Sequence, residues 1–164
     1  MADIVKINST DLVLPELLND LRKIINSARS RVAATANYEL TAMYWHIGDR
    51  INRDVLKNER AEYGKQIVSQ VATQLQEEYG TKGFEERTIR RMMQFAQQFP
   101  DFRIVSTLLS KLSWSHFLIV MPIKDALQRE FYLTMAANEL WSVRTLQAKR
   151  QMSLKVFLMM SQMI

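Results

Sequence analysis

Apolar residues recur at helical spacing along most of the chain. Leu17, Leu21, Ile24, Ile25 and Ala28 fall at i, i+4, i+7, i+8 and i+11, one face of a helix of about five turns. A second stripe follows in Leu40, Met43, Tyr44, Ile47, Ile51 and Val55. Neither Pro nor Gly separates the stripes, so they form one long, bent helix or two helices joined near Thr35-Ala36-Asn37. Residues 57–64 break the pattern and read as a connection. A third helix over 65–79 turns Val68, Val71, Ala72, Leu75 and Tyr79 inward, and Gly80 stands where a left-handed glycine ends a helix. The connection 80–85 leads to a fourth helix that ends near Phe99, just before Pro100. Its core face is Ile89, Met92, Met93 and Ala96, and Glu85 and Glu86 suit its N-terminal dipole.

Ile104, Val105, Leu108 and Leu109 mark a short helix or an extended linker. Residues 112–116 open an apolar helix that Pro122 closes or kinks. Asp125 is placed to cap the next helix, with Leu127, Phe131 and Met135 inward. Ser142 is placed to cap the last, with Val143 and Leu146 inward. No stretch alternates with period two, and four glycines and three prolines leave little turn chemistry for a sheet. The pattern predicts an all-α fold of six to seven helices, with a helix-turn-helix at about 65–99. Residues 1–11 read as a flexible arm, 12–150 as the helical domain and 151–164 as an apolar tail.

Composition narrows the function classes. With 164 residues and 48% apolar content the chain can bury one real core. No apolar run approaches the ~18–20 residues of a membrane span, and the N-terminus lacks a secretory pattern, so a cytoplasmic protein without membrane contact is expected. The absence of cysteine excludes disulfide scaffolds, thiolate zinc sites and cysteine nucleophiles. Two histidines, His46 and His116, do not make a histidine-rich metal site. No metal and no cofactor are expected. The net charge of +5 is uneven: residues 1–140 carry 18 Lys/Arg against 17 Asp/Glu, whereas residues 141–164 carry four bases and no acid. The body is close to neutral, so a nucleic-acid site there must be a local patch.

The second helix of the helix-turn-helix is the candidate recognition helix. It offers Arg87, Thr88, Arg90, Arg91 and Gln94, residue types that pair with guanine, adenine or phosphate, and Lys82 in the turn can reach phosphate. The alternative is a solvated face with charge pairs such as Glu86–Arg90. Trp114-Ser115-His116 reads poorly as a nucleophile and base, because adjacent helical residues point apart and no strand–turn–helix elbow surrounds the serine. Packing by Trp114, a cap from Ser113 or Ser115 and a bonded or interfacial His116 are the structural reading. In Tyr44-Trp45-His46-Ile47-Gly48 the helical glycine costs about 1 kcal/mol against alanine, which points to close packing of another helix. Asp49, Asp54, Glu59 and Glu62 stand among Arg50, Arg53 and Arg60 and read as surface ion pairs rather than a metal cluster. The tail holds four of the ten methionines with Val156, Phe157 and Leu158, and either packs back or meets another chain.

Several motifs occur in a specific order: Tyr44-Trp45-His46-Ile47-Gly48, Ala61-Glu62-Tyr63-Gly64, Gly83-Phe84, residues 112–116, Arg129-Glu130-Phe131-Tyr132 and Trp141-Ser142-Val143-Arg144. Over residues 14–147 the chain resembles the N-terminal domain of the bacterial YhcG family. The resemblance implies a helical, winged-helix-like, DNA-binding part, joined in full-length members to a C-terminal PD-(D/E)XK nuclease domain. Here Glu85 replaces the family's serine cap, Thr88 its asparagine and Met93 its arginine. After Arg144 the sequence departs from the family pattern over Arg150–Lys155, and no nuclease domain is expected in residues 150–164.

The expectation is a non-catalytic module that targets a nuclease system to double-stranded DNA. Lys82, Arg87, Thr88, Arg90, Arg91, Gln94 and Arg144 would contact DNA, and Trp45, Gly48, Trp114, His116 and Trp141 would serve packing or an interface. A homo-oligomer or a partner nuclease is the expected protein partner. The alternative is a protein-interaction or oligomerisation module with no DNA contact.

Overall fold

The computed structural model describes residues 9–57 and 61–162. They form seven α-helices: α1 (Ser9–Lys57), α2 (Ala61–Tyr79), α3 (Glu86–Gln98), α4 (Phe102–Leu109), α5 (Trp114–Val120), α6 (Ala126–Asn138) and α7 (Val143–Ser161). The all-α expectation holds. No strand occurs among the described residues, so the α2–turn–α3 hairpin has no wing there.

Both N-terminal stripes lie on one helix, α1. The chain nevertheless divides into two units, Met1–Ala36 and Asn37–Ile164, although the helix runs unbroken through the Thr35-Ala36-Asn37 stretch where the pattern allows two helices to join. Two expected loops are shorter than the pattern implied. Of the arm expected over residues 1–11, Ser9–Asp11 are helical, while residues 1–8 lie outside the described residues. Of the connection expected over residues 57–64, Ala61–Gly64 open α2. Glu62 in that first turn faces the positive helix end, and the bare Gly64 lets the chain pass Val55, whose Cγ1 lies 3.1 Å from the position a Cβ would take.

In the first unit every side chain from Pro15 to Ala36 is exposed. The second unit holds the core, in two clusters. The larger joins Trp45, Phe95, Val105, Leu109, Phe117, Val120, Leu133 and Leu146 among others. The smaller consists of Ile51, Val68, Ala72, Ile89 and Met92. Residues 37–57 of α1 and α3 contribute to both clusters. Along α3, Ile89 and Met92 face the small cluster, and Phe95 and Ala96 the large one.

Caps follow the sequence closely. Asp125 accepts from the backbone N–H groups of Leu127 and Gln128, and Ser142 from that of Thr145. Asp101 caps α4, so the apolar stretch from Ile104 to Leu109 is a short helix rather than an extended linker. The inward face of α6 differs from the expected one. Tyr132, Leu133, Ala136 and Ala137 are buried, whereas Leu127 and Phe131 are exposed. Both faces of that helix carry apolar residues, and packing against α5 and α7 selects the one with small alanines. Tyr79, expected inward on α2, is also exposed, and its ring lies tilted against that of Phe84, with centroids 6.0 Å apart. The end of α6 is unusual: Leu140 adopts φ 51°, and the Trp141 N–H reaches back to the Ala136 carbonyl at 2.9 Å. This is a left-handed helix stop with leucine in the place that glycine usually fills.

Candidate nucleic-acid interface

The hairpin is set by its turn. Gly80 (φ 93°) donates its N–H to Gln76 O at 2.9 Å, and Gly83 (φ 94°) supplies a second left-handed residue. The Gln76 amide donates to Phe84 O at 3.1 Å, which ties the turn back to α2. Glu85 stands at the N-cap of α3 without capping it. Its carboxylate accepts from the Gly83 N–H (3.1 Å) and the Thr88 hydroxyl (3.3 Å) instead. A hydrogen bond from its own backbone N–H, with those two partners, holds the Glu85 carboxyl below the usual carboxylate range.

Inward contacts hold α3 firmly. Ile89, Met92 and Phe95 are fully buried. Gly48 lies against it so closely that a Cβ there would overlap the Met92 carbonyl and come within 2.8 Å of Met93 N. The Asn52 amide donates to Met93 O at 2.8 Å, and Trp45 Nε1 donates to Phe99 O at 2.7 Å. The close approach expected of Gly48 is therefore present, with α3 as the neighbour.

The outward face carries the predicted bases. Lys82 and Arg87 are exposed. Neither they nor the half-buried Arg91 has an acidic partner within 4.0 Å among the described residues. Arg90 is held by Glu86, with Nη2 at 2.6 Å and Nε at 3.1 Å from Oε1. The Thr88 hydroxyl is engaged by Glu85. Turn and first helical turns thus gather Lys82, Arg87, Thr88, Arg90 and Arg91 at one end of α3.

Two expected members do not join them. Gln94 donates to Met121 O at 3.3 Å, and Gln98 donates to the same carbonyl at 2.9 Å. The α5–α6 connection covers the second half of the face, so the amide of Gln94 is turned to a backbone carbonyl rather than outward. Arg144 is exposed in the first turn of α7, a helix that packs on α5 and α6.

The aromatic clusters are packing devices. Trp114 stands edge-on to Tyr44 (5.1 Å) and Phe95 (5.2 Å). The buried His116 accepts the Ser113 N–H at Nδ1 (3.1 Å) and contacts Trp141 O through Nε2 (2.9 Å). A nitrogen that accepts from an amide carries no proton, so Nε2–H is the donor and the ring is a neutral bridge from α5 to the start of α7. Lys149 sits over the Trp141 ring at 5.2 Å. The carboxylates near residue 50 are ion pairs, as expected: Asp49 with Arg53, and Asp54 with Arg50 at 3.8 Å. Glu59 lies outside the described residues.

Sequence reasoning missed Asn52, Phe95, Gln98 and Arg150. Arg150 donates to Ile119 O at 2.8 Å. A signal existed for Asn52 alone, a polar residue inside an apolar stripe. The others depend on which carbonyls and cavities neighbouring helices present.

A cavity of about 290 Å³ lies between the α3–α4 connection, α4 and α6. Two of its charged residues are engaged locally. Asp101 is bonded to Arg103, whose guanidinium holds that carboxyl below its ordinary range, and Arg129 is bonded to the carbonyls of Ile123 and Lys124. Among the described residues no three His, Asp or Glu side chains gather as metal ligands, and no helix is long and apolar enough to cross a membrane.

The sequence profile of the DUF1016 N-terminal domain matches residues 20–158, and the chain belongs to that family. No curated protein and no solved structure matches it.

Proposed function

We propose that this chain is a non-catalytic, cytoplasmic DNA-binding module that targets a YhcG-like nuclease system to double-stranded DNA. The observation that carries the reading is the pair Arg87 and Arg91, without acidic partners among the described residues, on the outward face of a helix anchored from behind. Arg87 and Arg91 are separated by one helical turn and can bridge a phosphate and a base edge, with Lys82 on a neighbouring phosphate. Arg90 joins on release from Glu86. That exposed i,i+4 pair is worth only about 0.3–0.5 kcal/mol, so a phosphate can displace the carboxylate. Arg144 is a more remote phosphate contact.

The test is fluorescence anisotropy of labelled duplex titrated with the full chain at two salt concentrations. Binding should weaken steeply with salt, and Arg87→Ala/Arg91→Ala should remove most of it. Glu86→Gln should tighten binding by freeing Arg90 and removing a negative charge from the face. Binding that depends only on Lys149 and Lys155 would sink the recognition-helix reading.

The second reading is a protein-assembly module. It is favoured by the last turns of α7, where Met152, Leu154, Phe157, Met159 and Met160 are all exposed. Absence of any DNA binding would move the function there.

A further inference from the structure

The first unit poses a separate problem. Leu17, Leu21, Ile24, Ile25, Ala28 and Val32 occupy one side of α1, and none of them is covered. At 100° per residue they span about 100° of the helix circumference, the width of a face that packs on another element. Ile24 is 65% exposed and Val32 69%. The stripe runs about 22 Å along the axis. An uncovered apolar face of this length marks an interaction surface, and an isolated helix of this size is marginal in water.

We infer that this stripe pairs with the same stripe of a second copy of the chain, antiparallel, about a two-fold axis between residues 24 and 25. Three features select that occupant and orientation. The stripe is self-complementary about that point: Leu17 meets Val32 of the partner subunit, Leu21 meets the partner's Ala28, and Ile24 meets the partner's Ile25. Large residues face small or branched ones, whereas a parallel pairing in register would set Ala28 against Ala28 and leave a gap. Charge is also polarised along the segment. Glu16 and Asp20 stand at one end, and Arg22, Lys23, Arg29 and Arg31 follow. Finally, Asp20 and Arg31 edge the stripe on the same side, held within the helix only by exposed contacts to Lys23 (3.4 Å) and Ser27 (2.8 Å). Like edges face each other in an antiparallel pair, so each Arg31 approaches Asp20 of the partner subunit and can exchange those exposed local contacts for it.

The opposite edge carries Arg22 and Arg29. In the antiparallel pair Arg22 approaches the partner's Arg29, an unfavourable contact that makes a directional test possible. Arg22→Glu converts two repulsions into two attractions and should tighten the antiparallel dimer. In a parallel pair the same residue lies near the partner's Asp20, and the substitution should weaken association.

The experiment is sedimentation equilibrium on the full chain, which needs no DNA. The wild type should be a dimer at tens of micromolar, Ile24→Asp should weaken it on the order of a hundredfold, and Arg22→Glu should strengthen it. Circular dichroism on each variant confirms that helicity is kept, as expected for exposed positions. The chain has no cysteine, so engineered thiols report orientation directly. A mixture of Leu17→Cys and Val32→Cys chains should form the mixed disulfide. Leu17→Cys alone should not cross-link, because its own copy lies about 22 Å away, beyond the ~7 Å reach between Cα atoms. A monomeric wild type, a dimer indifferent to Ile24→Asp, or a Leu17→Cys homodisulfide would each overturn the inference.

Discussion

Residues 15–36 and residues 37–55 belong to the same helix and carry apolar stripes of similar strength, yet their fates differ. In the first stretch every side chain is exposed. In the second, Ala42, Trp45, Ile51 and Asn52 are buried, and Gly48 touches the backbone of α3. Hydrophobic periodicity says that a helix has a face to bury; it does not say who buries it. What separates the stretches is the company within the chain. The second has a small residue at the crossing point, an indole N–H and an amide that each find a carbonyl on or just after α3. The first has only aliphatic residues edged by charges, which suits a partner reached through symmetry rather than an internal one.

The largest expected effect breaks the buried side of this contrast. Gly48→Leu forces a side chain into the Met92 carbonyl and should cost more than about 3 kcal/mol, read as a loss in urea midpoint. Ala28→Leu in the exposed stretch, measured dilute, should change stability by less than about 0.5 kcal/mol. Equal effects would show that the two stretches are alike after all. Next comes Trp45→Phe, which removes the N–H that pairs with Phe99 O and leaves a half-buried carbonyl without that partner. A loss of about 1–3 kcal/mol is expected by chemical denaturation.

The connections of the second unit should respond to acid. Glu85 and Asp101 are both held below their ordinary range. A carboxyl whose folded value is depressed adds stability above its unfolded value and loses it as pH falls through the folded one. Thermal melts should therefore fall with acid below the usual carboxylate range, and Glu85→Gln with Asp101→Asn should flatten that fall. The smallest effect has the opposite sign. Leu140→Gly relieves the left-handed backbone at the end of α6 and should raise stability by up to about 1 kcal/mol, seen as a small rise in Tm.

Much of the local architecture was legible. Gly80 as a helix stop, Asp125 and Ser142 as caps, Pro122 as the end of α5 and Gly48 as a close-packing site all follow from short-range chemistry that acts within a few residues. The misreadings share one cause. The inward face of α6, the exposure of Tyr79 and the turning of Gln94 toward Met121 depend on which element lies across the gap. A sequence window cannot contain that element. The candidate interface was legible as a set of residue types, and the i,i+4 spacing already offered the Glu86–Arg90 pair, but the carbonyl that engages Gln94 emerges only in three dimensions.

The sequence alone determined that the chain is helical, where several of its helices are capped or stopped, and that it carries a basic hairpin helix, because propensity, capping and periodicity are local. The tertiary structure alone decided which stripe became core and which stayed bare, and which arginines stand free of acids. Burial and pairing are settled by residues distant in the chain, such as Trp45 with Phe99 and His116 with Trp141, and distance in sequence hides them until the chain is folded.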